Sequence, residues 1–312
     1  MYHILAILTI LVWGSTFVST KVLLANGLTP SGIFVLRFTL AYIGLTLLHL
    51  YRQRKKKMTR TDVPPIWRCQ SIKDELTMFA SGLAGGSIYF LTENNALKYT
   101  LAGNVSLIVC LSPLITAILA LCMRRNERAG VSLWTGSLIA FTGVAFIIYG
   151  SSQEGSSSNP ILGNILALAG STSWSVYQLI VSPMIQRYGT LMTTRKVFGY
   201  GLLTILPVFF YEHTWSAEIL SRPIVWGNLI FLGVVASLLC YLSWNKVVEK
   251  LGSIVSANYI YLDPLTTCFF SYLLLDEKLT PGIVIGGIAI LFGLYIVATR
   301  PKILYKLTRT QR

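Results

Sequence analysis

Long apolar blocks alternate with short polar breaks along the whole chain. The blocks run about 18 to 24 residues, the length a helix rising 1.5 Å per residue needs to cross a hydrocarbon core of roughly 30 Å. Ten of them predict helices, at approximately His3–Leu24, Gly32–Tyr51, Leu76–Lys98, Ala102–Met123, Val131–Gly150, Ile161–Pro183, Leu191–Tyr211, Val225–Val247, Ser253–Leu275 and Pro281–Ala298. The connections are short except for the basic stretch Arg52–Glu75 and the Gly/Ser-rich stretch Ser151–Pro160, which has the composition of a flexible linker.

The pattern occurs twice. Leu111, Pro113 and Leu114 are answered by Leu262, Pro264 and Leu265, each 151 positions on, and Gly136 with Gly143 by Gly286 with Gly293, 150 positions on. A polar break holding Glu127 or Glu277 separates the two landmarks in each copy. The expected organisation is therefore a first five-helix unit over 1–150, a linker over 151–160, a second unit over 161–300 and a basic tail over 301–312. An odd number of crossings per unit makes the second copy enter from the opposite side, and inverted repeats of this kind build many secondary transporters.

Composition agrees with an all-α integral membrane protein. Apolar residues make up 54% and charged residues only 12%. The formal charge of +14 follows from topology. With the N-terminus inside, 21 basic residues fall on the cytoplasmic side against Lys98, Arg222 and Lys278 outside, a bias that predicts both termini in the cytoplasm. Such runs address anionic lipid and give no reason to invoke nucleic acid. The start, Met1-Tyr2-His3-Ile4, has no basic n-region and reads as the beginning of a retained helix. Cys69, Cys110, Cys122, Cys240 and Cys268 form no Cys-x-x-Cys pair and predict neither disulfide nor metal site. With no nucleophile motif, phosphate loop or His/Asp cluster, an enzyme and a bound cofactor are not expected.

Several ordered motifs carry a resemblance: Val12-Trp13-Gly14-Ser15-Thr16-Phe17, Arg37-Phe38, Ala96-Leu97-Lys98-Tyr99-Thr100, Leu111-Ser112-Pro113-Leu114, and the Glu127 and Glu277 loops leading into glycine-spaced helices. On these, over nearly the whole chain, the protein resembles the drug/metabolite transporter superfamily in its ten-helix EamA-type branch. The resemblance implies an exporter or exchanger of small metabolites, often amino acids, in a bacterial inner membrane, with a central cavity between the repeats. The second unit has Ser173-Trp174-Ser175 in place of Trp13-Gly14-Ser15, so the first-helix motif is not carried over to it.

Candidate chemistry comes from groups that lipid would not tolerate. Asp263 beside Pro264 lies near the middle of an apolar run, where a carboxylate and a proline-freed carbonyl are both costly. Either the carboxyl forms a cavity wall that binds an amine or a proton, or it caps the break; Pro113 breaks the fourth helix alike. Asn258, Tyr259 and Tyr261 precede it, with Tyr259 four residues back on the same face. Arg37 and Glu93 match in depth and predict a buried pair, as a gate or as a static clamp. Asn94 and Asn245, 151 positions apart, read as symmetric gate positions or as helix-end caps. Trp13, Thr16, Tyr89, Trp174 and Tyr177 complete the cavity candidates, while Trp134 and Trp244 read as interface-belt residues and Lys21 as a snorkelling lysine. Gly82, Gly86, Gly136, Gly143, Gly286 and Gly293 read as close-packing sites.

The reading is a secondary transporter working by alternating access on amino acids or related compounds, coupled to protons or to exchange. The alternatives are an exporter of cationic drugs and an uncoupled facilitator. Its partners are a small solute and the bilayer, and its hydrophobic faces suit a monomer or a homodimer.

Overall fold

The computed structural model describes residues 1–58, 68–123, 131–152, 158–212, 216–251, 258–277 and 280–299. Among these residues the chain is helical, without strands, and its helical runs follow the apolar blocks of the sequence. The runs are α1 (Tyr2–Ala25), α2 (Pro30–Met58), α3 (Ile72–Gly82) continuing through a π turn Leu83–Ile88 into α4 (Tyr89–Tyr99), α5 (Ala102–Val109) with α6 (Ser112–Met123), and α7 (Val131–Ser152). After them come α8 (Pro160–Tyr188), α9 (Thr190–Glu212), the one-turn α10 (Ala217–Ser221), and α11 (Pro223–Ile230) continuing through a second π turn Phe231–Leu239 into α12 (Cys240–Leu251). A 3-10 turn Asn258–Leu262 leads into α13 (Asp263–Leu275), and α14 (Pro281–Thr299) closes the order. Tyr2–Ala25, Pro30–Arg54, Pro160–Tyr188 and Pro223–Trp244 are each long and apolar enough to cross a membrane. The Glu127 loop, most of the linker and the basic tail lie outside the described residues.

Close approach of backbones holds these helices together, since lipid offers no hydrophobic drive between them. A Cβ at Gly143 would lie 2.6 Å from the Gly286 carbonyl oxygen, and one at Gly293 would meet the Gly136 carbonyl oxygen as tightly. The two contacts are reciprocal, each joining a glycine of α7 to one of α14. A second reciprocal set places Gly82 against Val197 O and Tyr200, and Gly233 against Arg37 O and Leu40. The pairs 82/233 and 37/197 differ by 151 and 160 positions, the nine-residue difference being the extra length of the basic connection in the first half.

Both expected proline breaks are present, at equivalent places. Pro113 follows the turn at Cys110–Leu111, and Pro264 stands in the first turn of α13. Each removes the bond to the carbonyl four residues back. A neighbouring side chain takes up that carbonyl: Ser171 Oγ donates to Val109 O at 3.3 Å, and the Cys110 thiol to Ile260 O at 3.8 Å. Asp263 is therefore not in the middle of a continuous helix; it is the first residue of α13, and the freed carbonyl is not its partner.

Candidate functional site

The proline breaks and the helices that follow the π turns border one narrow cavity of about 80 Å³. Its lining comes from both halves, and three pairs of lining positions are 151 apart: Val109 and Ile260, Phe90 and Tyr241, Ser112 and Asp263. Trp13 and Trp174, from the first helix of each half, add two indoles, and Tyr89, Glu93, Thr16 and Arg37 complete the polar part. The walls are thus near-equivalent in shape but unequal in charge, because Asp263 stands where the other half has Ser112.

Local packing explains why these side chains reach the cavity. Gly14 lets α1 touch the start of α13, where an added Cβ would lie 2.6 Å from Thr266 Cβ and 3.0 Å from Asp263 O. Thr267 Oγ1 donates to Gly14 O at 2.9 Å across that contact. Trp13 Nε1 donates to Ala236 O at 3.1 Å, in the second π turn, and the Trp13 ring lies edge-on to Tyr241 at 5.5 Å. On the opposite wall Tyr89 and Trp174 are 4.9 Å apart.

Three ionisable side chains share the cavity. Asp263 and Glu93 are buried, and among the described residues Asp263 Oδ1 and Glu93 Oε2 have no hydrogen-bond partner. Arg37 is buried too, but the expected direct pair with Glu93 is not formed within 4 Å. Arg37 Nε instead donates to Ser237 Oγ at 2.7 Å, and the guanidinium packs over Phe38 and Phe90, 5.3 and 5.0 Å from their ring centroids. The guanidinium is thus held between the aromatic cluster of α2 and α4 and the π turn, away from the carboxylate a static clamp would join.

Other candidates fall elsewhere. Tyr177 stands behind Trp174, their rings 4.9 Å apart, and packs on Gly85 rather than lining the cavity. Tyr259 pairs with His3 at the start of α1. Asn94 is buried and donates to Pro30 O at 3.1 Å, tying α4 to α2. Trp244 is buried against Trp13 at 5.3 Å, not in an interface belt, whereas Trp134 is exposed. Lys21 does not snorkel: it pairs with Glu277 and donates to Thr100 O at 3.1 Å. The side chains of Asn245, Asn258 and Tyr261 lie outside what is described. The lining residues Ser112, Val109 and Ile260 escaped the sequence reading, although applying the 151-residue offset to Asp263 points to Ser112.

The two ends of the bundle are tied across the halves. At one end Glu277 holds Lys21 and accepts from Ala102 N at 3.0 Å. At the other, Asp74 accepts from Arg187 Nη1 at 2.7 Å and Tyr188 Oη at 2.6 Å, and Glu75 takes up Lys196, Tyr200 and the Cys69 amide. The hydrogen bonds from Tyr188 and Arg187 hold Asp74 below the usual carboxylate range. Burial would raise Glu75, but the bonds from Lys196 and Tyr200 outweigh it and hold the carboxyl at about 2.

Comparison with known proteins agrees with this architecture. The profile of the EamA-like transporter family matches residues 1–149 and again 161–299. An uncharacterized transporter of Archaeoglobus fulgidus is 26% identical over 298 residues, covering 96% of this chain and 97% of its own. A probable terminal-alkyne amino-acid exporter of Streptantibioticus cattleyicolor is 24% identical over 299 residues, covering 94% and 92%. One crystal structure, 18% identical, shares the fold over 98% of both chains with a TM-score of 0.60.

Proposed function

The chain belongs to the EamA-like transporter family, and on that premise we propose a secondary transporter that exports an amino acid or a related zwitterion by alternating access. The observation that carries the reading is the cavity: aromatic walls from both halves around two buried carboxyls with free oxygens and one buried guanidinium. Trp13, Tyr89, Trp174 and Tyr241 offer faces for stacking and cation–π contact, worth roughly 0.5 to 2 kcal/mol each. Asp263 and Glu93 receive the solute's ammonium or a proton. The halves act as inverted repeats in a bacterial inner membrane with both termini cytoplasmic, and the ties at Glu277 and at Asp74 and Glu75 open in turn. That the probable exporter of Streptantibioticus cattleyicolor handles an amino acid supports the solute class.

Two carboxyls against one guanidinium leave an excess negative charge that a proton or a cation neutralises, so solute and proton exchange at Asp263. The same excess favours a second reading, export of cationic compounds. Counterflow into proteoliposomes loaded with an amino-acid mixture, with and without a pH gradient, tests both. The expected result is saturable uptake stimulated by the gradient, with stimulation lost in Asp263→Asn and reduced in Glu93→Gln. Identical transport by both variants across pH would end the coupling role. Exchange of a cationic dye but of no amino acid would favour the second reading, and non-saturable flux would make the protein a facilitator.

A further inference from the structure

Arg37 is a buried cation whose compensation is incomplete. Of its five N–H donors, only Nε has a hydrogen-bond partner among the described residues, the Ser237 hydroxyl at 2.7 Å, and no carboxylate lies within ion-pair distance. Burying a guanidinium this way is costly unless something else meets its remaining donors. Those donors sit on Nη1 and Nη2, the two-pronged end that matches a carboxylate bidentately. Arg37 lines the same cavity as Asp263 and Glu93, which stand on other elements.

Packing does not demand the charge. In the reciprocal contact of the other half, the position answering Arg37 is Val197, and the one answering Ser237 is Gly86. The device therefore exists in one half only. Ser237 reaches Arg37 because it lies in the π turn Phe231–Leu239, where the extra residue turns later positions by about 100° relative to an uninterrupted α-helix. Gly233, one turn earlier, lets that segment come close to α2: a Cβ there would lie 2.9 Å from Arg37 O.

Resting on the amino-acid reading above, we infer that Arg37 is the carboxylate subsite of the cavity and that Ser237 is a positioning residue that fixes its guanidinium plane. The ammonium pole lies toward Asp263 and Glu93, so the site selects α-amino acids over the corresponding amines. Phe38 behind the wall and Phe90 in it pack on the guanidinium without using its donors.

The test is titration of the purified protein in nanodiscs, read by the ligand-induced change in intrinsic tryptophan fluorescence, to which Trp13 and Trp174 of the cavity contribute. The probes are two matched pairs: L-phenylalanine with 2-phenylethylamine, and L-leucine with 3-methylbutylamine. The wild type is expected to bind the acid of each pair about tenfold or more tightly than the amine, as a charge-assisted bidentate contact implies. Ser237→Ala and Arg37→Lys bring that ratio toward one by weakening the acid alone, with Ser237→Cys between them. A thermal melt unchanged from that of the wild type shows that each variant is folded, and if Ser237→Ala does not fold, Ser237→Cys and Arg37→Lys decide by the same ratio. A wild-type ratio near one, a ratio untouched by the substitutions, or equal weakening of acid and amine would overturn the assignment while the amino-acid reading survives. Failure of the wild type to bind any amino acid of the counterflow mixture, these two included, would remove both.

Discussion

Trp13 faces the cavity with its ring and closes a backbone gap with its nitrogen. The Ala236 carbonyl it meets lies in a π turn, where the ladder of helical bonds is interrupted, so Trp13→Phe leaves a buried acceptor unmet at a cost of about 1–3 kcal/mol. Trp174, whose indole makes no hydrogen bond among the described residues, is the internal comparison. Melting in detergent should show a clear drop for Trp13→Phe and a smaller one for Trp174→Phe; equal shifts would deny the role of the Ala236 bond. The acids of the site were legible in the sequence because a carboxylate in an apolar block is too costly to be incidental. Ser112 and Ser237 were not, because a helical serine can satisfy itself on its own backbone and leaves no signature in the pattern.

Helices α7 and α14 meet through reciprocal glycines, and the reciprocity sets an expectation for the pair. Gly143→Ala drives a methyl against the Gly286 backbone, and Gly293→Ala does the same against Gly136, where neither carbonyl can rotate away. Each substitution is expected to cost about 1–3 kcal/mol by overpacking. Once one methyl has separated the helices, the second costs less, so the double variant should lose less than the sum. Additive losses in a thermal double-mutant cycle would show that the contacts relax independently. The spacing of these glycines was visible in the sequence. The π turns at Leu83–Ile88 and Phe231–Leu239 were not, because one extra residue in a wholly apolar helix leaves the hydrophobic pattern unchanged.

Across the whole molecule, ion clusters tie the halves together at both ends, and the one at Asp74 and Glu75 can be read by pH. Glu75 is held at about 2, below its ordinary value of 4.5. A lowered carboxylate contributes stability that is complete above its unfolded pKa and is lost as pH falls through the folded one. The melting temperature should accordingly decline between pH 4.5 and 2, with Asp74, shifted in the same direction, contributing to the fall. Glu75→Gln should melt lower at pH 7 and vary less across that window; an unchanged pH slope would remove Glu75 from the account.

The amino-acid sequence by itself determined that this is an all-α membrane protein with helices at these places and buried acids at Glu93 and Asp263. Those properties depend on block length and on the cost of charge in hydrocarbon, which are local quantities. Only the tertiary structure decided which groups face one another. It separated Arg37 from Glu93, joined Lys21 to Glu277, drew Trp244 inward against Trp13 and sent Tyr259 to His3. These pairings depend on how far a glycine lets two backbones approach and on how a π or proline break rotates the residues beyond it. A one-residue change in a helix turns every later side chain by about 100° while leaving hydropathy untouched.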